Sequence, residues 1–519
     1  MNKNKRDNWG SRLGMIMAVA GSAVGLGNFL RFPGQVAQNG GGAFMIPYFV
    51  SLLFLGIPLM WIEWTLGRYG GGFEHGTAPG IFHSVWQKNR FIKYFGVIGI
   101  FGPLVIFIYY TYIESWALGY SFLSMIGKCS QAVDQEQMKA LLVDYQGLNN
   151  NGLFNGSALS ILFFVVTFAL NIFVISHGIK GGIERLCKIA MPIPFVCGVI
   201  MLIRVLTLGA PDSSRPSWNV FNGLGYMWNP DFSALKNPKV WLAAAGQIFF
   251  TLSVGIGVIL TYASYLSKGD DVVLSGLSAV STNEFAEVIL GGSIIIPAAF
   301  VFFGPTDIAN IAQGGLFNLG FVTMPLVLNH IPFSEAFGFM WFFLLFLAGV
   351  TSSVSLAQPA IAFLEDEFDI SRKKAVKIFA FVTFFLCIPG VLFLSKGVVD
   401  ELDFWGGTFC LVLFATVEAI LFGWVFGIDK AWEEIHHGAD LRIPRIYKFI
   451  IKYVTPTFLL TILCWWFFKE WLPLILMKGV AAENRIYILI TRIILLVLFL
   501  SIAILVRVAW KKKAAVKRG

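Results

Sequence analysis

Charged residues are scarce in this chain. They make up 13% of its 519 residues, whereas hydrophobic residues make up 57% and the mean hydropathy is +0.73. Soluble domains contain about 25% charged and about 45–50% apolar residues. The composition therefore excludes an ordinary soluble protein and indicates an integral membrane protein.

The sequence also lacks the motifs of several protein classes. It has no G-x-x-x-x-G-K-[ST] phosphate loop, which disfavours primary active transport. The segment EEIHH at 433–437 lacks the H-E-x-x-H spacing of a zinc enzyme, so we expect no enzymatic activity. The six cysteines show neither paired nor metal-type spacing, and most lie in or beside apolar runs, where cysteine acts as a small apolar filler.

Long apolar runs recur along the whole chain. Each is long enough to cross about 30 Å of hydrocarbon as a helix, and lipid offers no partner to an unpaired backbone amide. The sequence therefore predicts an all-α integral membrane protein. About twelve transmembrane helices are expected, at residues 13–37, 43–69, 92–125, 157–176, 189–208, 241–266, 273–303, 336–364, 375–395, 404–427, 447–476 and 485–509.

The basic residues predict the orientation of these spans. The short segments between spans 2 and 3, 4 and 5, 8 and 9, and 10 and 11 are basic, as are both termini. By the positive-inside rule both termini are cytoplasmic, in a multi-pass protein of the cell's cytoplasmic membrane, and the loops 127–156 and 209–239 face outward. The net charge of +9 fits this bias and a basic tail that meets anionic lipid headgroups, rather than nucleic-acid binding.

Glycines weaken two of the predicted spans. The stretch AGSAVGLGNFLRFP places Gly21, Gly25 and Gly27 inside span 1, and span 6 carries Gly255 and Gly257. A glycine disfavours a helix interior by about 1 kcal/mol relative to alanine. For either span alone, close helix packing is an equally good explanation of the glycines.

Paired interruptions in corresponding spans favour a secondary transporter built from inverted repeats. The first repeat would cover residues 1–208 and the second residues 240–427, with the outer loop 209–239 between them. Residues 428–519 would add spans 11 and 12 and the basic cytoplasmic tail. The two interruptions would meet near the membrane midplane.

Broken helices supply the two kinds of backbone group that a zwitterion and a cation need. Free N–H groups at a helix start attract carboxylate, and free carbonyls coordinate small hard cations. An amino acid with sodium fits this pair. Side-chain oxygens cluster near the breaks, although hydroxyls at this depth also commonly bond to their own helix; the candidates are Asn28, Thr251, Ser253, Asn283, Thr351, Ser352 and Ser353.

Ionisable residues within spans need partners, because a charge at mid-bilayer costs at least about 2.5–3.5 kcal/mol. Glu287 lies four residues after Asn283, on the same helix face. Glu63 is a candidate to brace an unwound segment. Opposed ion pairs could gate the centre, or could be ordinary headgroup-level charges; the residues are Arg31 and Asp403 on the outside, with Arg6, Trp9 and Asp366 on the inside.

Several motifs resemble the neurotransmitter:sodium symporters, especially their bacterial amino acid transporter branch. They are NWGSRLGMIMAVAGSAVGLGNFLRFP, NGGGAFMIPY, GIPLMWIEW, GRYGG, IESW, GQIFFTLSVG and DKAWEEI, and the likeness runs almost end to end. The resemblance implies a LeuT-type 5+5 inverted repeat with discontinuous helices 1 and 6. It also implies alternating access, two Na+ sites and no organic cofactor.

The resemblance implies particular ligands for each sodium ion. The first ion would be held by the carbonyls of Ala23 and Thr251, the Thr251 hydroxyl, the amides of Asn28 and Asn283, and the substrate carboxylate. The second ion would be held by the carbonyls of Gly21, Val24 and Ala348 and by the hydroxyls of Thr351 and Ser352.

The resemblance also implies the substrate site and its gates. The carboxylate would meet the amides of Leu26 and Gly27 and the Tyr110 hydroxyl, and the ammonium would meet Ala23, Phe250, Thr251 and Ser253. The side chain would face Ser22, Ile106, Phe250, Ile256, Ser352 and Leu356. Phe250 and Tyr110 would form a lid beneath the Arg31–Asp403 pair, and the inside would be closed by Arg6–Asp366 with Ser264, Tyr265 and Gln358.

Departures from relatives bear on specificity. Ser22, Ile256 and Leu356 stand where leucine-transporting relatives carry asparagine, phenylalanine and isoleucine. Gly25 stands where monoamine-transporting relatives carry aspartate, so the substrate should supply its own carboxylate. Glu287 stands at the position linked to chloride in animal relatives, which implies chloride independence, with Glu287 protonated on the return step.

The expected function is sodium-coupled import of a neutral, hydrophobic L-amino acid. The partners are then the amino acid and the lipid bilayer, without nucleic acid. A channel and a low-turnover amino acid sensor remain alternatives. The sequence leaves open the preferred amino acid, the sodium stoichiometry, proton counter-transport and whether the protein is a homodimer.

Overall fold

The computed structural model describes residues 7–149, 156–313 and 318–516. These residues form helices and their connections, with an isolated β-bridge between Gly41 and Pro230. The principal helices in chain order are α1 Arg12–Ala23, α2 Gly27–Gln38, α3 Gly42–Gly71, α4 Ile92–Met125, α5 Ala158–Ser176, α6 Ile179–Leu206, α7 Pro238–Thr251, α8 Val258–Ala263, α9 Val273–Ala312, α10 Ser334–Phe368, α11 Arg372–Leu392, α12 Val398–His436, α13 Ile446–Ile475 and α14 Ala482–Lys513.

Ten of these helices are long and apolar enough to cross a membrane, or eleven if α1 and α2 count as one span, within the part of the chain that the structure describes. The predicted sixth span is not counted, because residues 252–257 divide it into α7 and the six-residue α8. The total of twelve spans therefore stays a prediction, as does the division into repeats at 208 and 240.

The predicted helix bounds agree closely for α4 and α5 but are too short for α6. Span 5 was expected to begin at residue 189, whereas α6 begins at Ile179. The polar residues that suggested a loop have partners there: Glu184 accepts the Gly10 N–H at 2.6 Å and pairs with Lys188 at 2.5 Å. Similarly, α9 continues beyond residue 303 by kinking at Gly304, where φ is +74°.

The helices form an inner group and an outer group. The most apolar stretch of α4 is 83% buried and that of α10 is 78% buried, whereas that of α14 is 22% buried. The exposed side chains of α14 include Ile493, Leu496 and Leu500. Since these faces are apolar, the outer helices suit contact with lipid, and the inner helices can hold a polar site away from it.

Regular helix is interrupted within each of the predicted spans 1 and 6. The axes of α1 and α2 differ by 44°, and residues 24–26 lie between them. Between α7 and α8, Gly255 has φ +77° and Gly257 has φ +83°. A Cβ atom on Gly257 would come 2.5 Å from the Gly99 carbonyl oxygen, so both the conformation and the close approach require glycine there.

Candidate functional site

A cavity lies beside both interruptions and contains about 460 Å³ of space between atoms, part of it open to solvent. The predicted substrate residues line it with the exception of Leu26, and four further residues join them. The lining comprises Ser22, Ala23, Gly25, Gly27, Asn28, Ile106, Tyr110, Phe250, Thr251, Ser253, Ile256, Ser352, Ser355, Leu356 and Leu411.

Backbone amides and a phenol stand together in one part of this cavity. Leu26 does not line it, but its N–H donates to the Tyr110 hydroxyl at 3.1 Å. A Cβ atom on Gly25 would lie 2.7 Å from Ser352 Oγ and 2.8 Å from the Tyr110 hydroxyl. A Cβ atom on Gly27 would lie 2.7 Å from the Phe250 ring. Glycine at positions 25 and 27 therefore allows the backbone to lie this close to Ser352, Tyr110 and Phe250.

A pair of serines provides polar groups in a wall that is otherwise largely apolar. Ser22 Oγ and Ser355 Oγ are 2.7 Å apart, and Ser253 Oγ donates to the Ser22 carbonyl at 2.9 Å. Sequence reasoning missed Ser355, although its position three residues after Ser352 puts both on one helix face. Leu411 was also missed, because one leucine in an apolar helix carries no distinguishing signal.

The predicted ligands of the first sodium ion converge beside the cavity. One end of the Asn283 amide lies 3.2 Å from the carbonyl oxygens of both Ala23 and Thr251. The Asn28 amide nitrogen lies 2.8 Å from Asn283 Oδ1 and 3.1 Å from the Thr251 hydroxyl. All four residues are buried.

Hydrogen bonding identifies which end of the Asn283 amide faces the carbonyls. The Gly25 N–H donates to Asn28 Oδ1 at 2.8 Å, so the Asn28 amide nitrogen points to Asn283. Asn283 must present its oxygen to that nitrogen, and the same oxygen faces the carbonyls of Ala23 and Thr251. Three acceptors thus stand together, and a cation would stabilise this arrangement.

The predicted ligands of the second sodium ion converge as well. Ser352 Oγ lies 3.2 Å from the carbonyl oxygens of Gly21 and Ala348 and 3.5 Å from that of Val24. The Thr351 hydroxyl lies 3.0 Å from the Ala348 carbonyl. One serine proton can serve one of these carbonyls well, so the cluster also holds more acceptors than donors.

Glu287 borders the first of these clusters. Its carboxylate accepts from the Thr251 hydroxyl, from Gln247 Nε2 at 2.5 Å and from Asn283 Nδ2 at 3.3 Å. The predicted proximity of Glu287 to Asn283 is therefore seen in the structure. Gln247 was missed, although it lies four residues before Thr251 in an apolar helix and so shares its face.

On the side predicted to face outward, the contacts of Arg31 and Asp403 differ from the expected ion pair. Among the described residues no ion pair joins Arg31 to Asp403, which corrects the expectation of a direct contact in this conformation. The Arg31 guanidinium carbon lies 4.5 Å from the centroid of the Phe250 ring. The Asp403 carboxylate accepts from the Tyr109 hydroxyl at 2.5 Å. Arg31 therefore contacts the ring face of Phe250, and Asp403 contacts the phenol of Tyr109, instead of contacting each other.

Hydrogen bonds join several helices on the side of the cavity that is predicted to face the cytoplasm. Gln358 donates to the Tyr265 hydroxyl at 2.8 Å and accepts from Arg372 at 2.9 Å. The Trp9 indole donates to the Tyr262 carbonyl at 3.0 Å. The Ser264 hydroxyl bonds to its own helix at Thr261 O, 2.6 Å away. Arg372 was expected only as a basic loop residue.

The predicted inner pair Arg6–Asp366 has one member outside the described residues. Arg6 precedes residue 7, where the described part of the chain begins. Asp366 lies in α10 near its end at Phe368. The pair therefore stays a prediction.

Glu63 braces the interruption between α7 and α8. It is buried, and its carboxyl accepts the N–H of Gly255. Glu63 also lies beside the buried carboxyl of Glu418. Glu114 instead contacts the Asn171 amide at 3.3 Å. Glu63 and Glu114 thus have polar partners within the protein.

Comparison with known proteins places these features in context. The chain matches the family model "Sodium:neurotransmitter symporter family" over residues 6–141 and 128–513. It is 32% identical to an uncharacterized sodium-dependent transporter of Methanocaldococcus jannaschii, covering 88% of this chain and 90% of that protein. It is 25% identical to sodium-dependent nutrient amino acid transporter 1 of Drosophila pseudoobscura pseudoobscura, covering 89% of this chain and 75% of that protein. A crystal structure of MhsT in complex with L-phenylalanine is similar at 30% identity and a TM-score of 0.76, covering 89% of this chain and 99% of that one.

Proposed function

The chain belongs to the sodium:neurotransmitter symporter family, and from that premise we propose that it imports a neutral, hydrophobic L-amino acid together with sodium. The family consists of membrane transporters and not enzymes, and the fold is of the LeuT type. The substrate, the two sodium sites, the direction of transport and the chloride independence are the proposal.

The observation that carries the proposal is the acceptor cluster of Ala23 O, Thr251 O and Asn283 Oδ1, with 3.2 Å between the amide end and each carbonyl. Hard cations prefer oxygen ligands. Sodium would join these oxygens, and the carboxylate of a bound amino acid would add another from the adjoining cavity. This shared ligand would couple the two cargoes.

A second sodium ion would join α1 to α10 through Gly21, Val24, Ala348, Thr351 and Ser352. The close approach of Ser352 Oγ to carbonyls of both helices supports this assignment. Because the ligands come from different helices, sodium would stabilise one arrangement of the transporter over another. That differential binding is what alternating access requires.

The substrate is proposed to be an amino acid because the site offers partners for a carboxylate. Position 25 is a glycine rather than an acidic residue, so the substrate would have to supply that carboxylate itself. The amide region of residues 25–27 and the Tyr110 hydroxyl would receive the carboxylate. The surrounding side chains Ile106, Ile256 and Leu356 favour an apolar substrate. The names of the nutrient amino acid transporter and of the MhsT complex with L-phenylalanine agree with this class.

Glu287 is proposed to supply a fixed negative charge beside the first sodium site. It accepts hydrogen bonds from Thr251 and Asn283, two of the proposed ligands. A carboxylate in this place would remove the need for chloride. It would take up a proton after sodium leaves, on the return step.

Two sodium ions supply enough energy for accumulation. One charge moving through 100 mV releases about 2.3 kcal/mol, and about 1.4 kcal/mol sustains a tenfold gradient. Two ions could therefore hold a neutral amino acid more than a thousandfold concentrated. With both termini in the cytoplasm, the Arg31 side would face outward and the Gln358 side inward.

Flux into proteoliposomes tests the proposal. Purified protein with a sodium gradient, but not with an equal potassium gradient, should accumulate a radiolabelled hydrophobic amino acid, with unlabelled amino acids as competitors. Equilibration without accumulation would favour a channel. Sodium-dependent binding without flux would favour a sensor and would contradict the proposal.

A further inference from the structure

Two serines at the cavity wall, Ser22 and Ser355, share one hydrogen bond, and the other contacts of Ser355 indicate which of them is the donor. Ser22 and Ser355 are both buried, line the cavity and lie 2.7 Å apart through their hydroxyl oxygens. Ser355 Oγ also donates to the Ser352 carbonyl at 2.6 Å. A serine hydroxyl has one proton. Ser22 is therefore the donor within the pair.

Ser22 Oγ consequently keeps lone pairs that receive no hydrogen bond from the described residues. Ile106, Ile256 and Leu411 also line the cavity and carry no side-chain donor. The free acceptor of Ser22 can then be satisfied by what enters the cavity.

An apolar substrate would seal this acceptor away from water without replacing its hydrogen bond. Such a buried, unpaired acceptor is unfavourable, and sites built to hydrogen-bond a substrate reject analogues that lack the donor. A side chain with an apolar body and one N–H or O–H group would satisfy both the walls and Ser22. Tryptophan and tyrosine have this chemistry, whereas phenylalanine and leucine do not.

We infer that Ser22 selects aromatic amino acids that carry a hydrogen-bond donor, tryptophan or tyrosine, over phenylalanine and leucine. The inference rests on the proposed function, since it names the preferred substrates of the same site. Its basis is the hydroxyl geometry of Ser22 and Ser355.

Two matched ligand pairs test the inference in the wild-type protein. Tyrosine and phenylalanine differ by one hydroxyl, and tryptophan and L-3-benzothienylalanine differ by replacement of the indole N–H with sulfur. Competition against sodium-dependent binding should show at least about tenfold tighter binding of the donor-bearing member in one pair or both. A preference below tenfold in both pairs would overturn the inference.

The variant Ser22→Ala should abolish that preference, because it removes the acceptor. Ser115→Ala is the control: Ser115 is buried and donates to the Tyr112 carbonyl at 2.6 Å, as Ser355 does to Ser352, but it does not line the cavity. A preference that survives in Ser22→Ala would refute the role of Ser22. Because the wild-type comparison needs no variant, poor folding of Ser22→Ala leaves the test intact.

The outcome also separates this inference from the proposed function. Sodium-dependent transport without a donor preference would refute the inference alone. No sodium-dependent binding or transport of any amino acid would refute the proposed function.

Discussion

The guanidinium of Arg31 stacks over the ring of Phe250, with 4.5 Å between its central carbon and the ring centroid. Phe250 in turn covers Gly27, where a Cβ atom would be 2.7 Å from the ring. Arg31, Phe250 and the interrupted segment therefore form a stack on one side of the cavity. Movement of Arg31 and opening of the cavity should be coupled.

Replacing Arg31 by lysine should speed the release of bound substrate, because lysine keeps the charge but loses the planar stacking group. A cation–π contact is worth roughly 0.5–2 kcal/mol, so we expect release about 2–30 times faster. Dissociation of radiolabelled amino acid after dilution measures the effect.

Arg215→Lys is the matched control for that experiment. Arg215 makes the same kind of contact, 4.4 Å from the Trp218 ring, but lies in the exposed segment before Val220–Trp228. It should leave the release rate unchanged. Equal rates in Arg31→Lys and wild type would show that the stack does not retain substrate.

Replacing Gly25 by alanine should lower amino acid affinity about 5- to 160-fold. The added Cβ atom would lie 2.7 Å from Ser352 Oγ and 2.8 Å from the Tyr110 hydroxyl, where the substrate carboxylate is proposed to bind. Overpacking of this kind typically costs about 1–3 kcal/mol. Equilibrium binding in saturating sodium measures the loss.

Gly34→Ala is its control, because a Cβ atom at Gly34 would meet no atom within 4 Å. This variant should bind like wild type. If Gly25→Ala also binds like wild type, the proposed place of the carboxylate is wrong.

Replacing Glu63 by alanine should destabilise the protein by about 1–3 kcal/mol, because the Gly255 N–H would lose its acceptor inside the protein. Glu63→Gln should lose less, because its amide keeps an oxygen acceptor. Thermal unfolding in detergent, followed by size-exclusion chromatography, ranks the two variants. Equal loss in both would show that the backbone contact of Glu63 contributes little.

Local sequence patterns predicted the helices and the two interruptions, because apolar run length and glycine content act within one segment. The family resemblance, rather than a local pattern, supplied most of the residues expected around the cavity. Helix α4 and its predicted span both cover 92–125, and Gly255 and Gly257 lie between α7 and α8. The start of α6 was misplaced, since Glu184 is satisfied by the distant Gly10 rather than by solvent.

Contacts between distant segments were harder to predict than the residues that make them. Arg31 and Asp403 were both predicted to be gate residues. Their opposite charges alone do not reveal that the Tyr109 hydroxyl donates to the Asp403 carboxylate. Ser355 and Leu411 line the cavity only because of how α10 and α12 pack against the interruptions. Such residues become identifiable only after helix packing is known.

Replacing Glu287 by serine should make uptake depend on chloride. The variant removes a carboxylate that accepts hydrogen bonds from Thr251, Gln247 and Asn283, and leaves those donors facing a space suited to an anion. Uptake measured in sodium chloride and in sodium gluconate should be equal for wild type. For Glu287→Ser it should fall at least tenfold when gluconate replaces chloride.

Glu114→Ser controls for the removal of a buried carboxyl elsewhere in the protein. Glu114 contacts Asn171 and lies outside the cavity lining and the Glu287 network. Its loss should reduce stability without creating a chloride requirement, because its hydrogen-bond partner is Asn171 rather than a proposed ligand of the first sodium ion. If wild-type uptake depends on chloride and Glu287→Ser leaves that dependence unchanged, the proposed role of the Glu287 carboxylate is wrong. If only Glu287→Ser depends on chloride, Glu287 supplies the fixed negative charge.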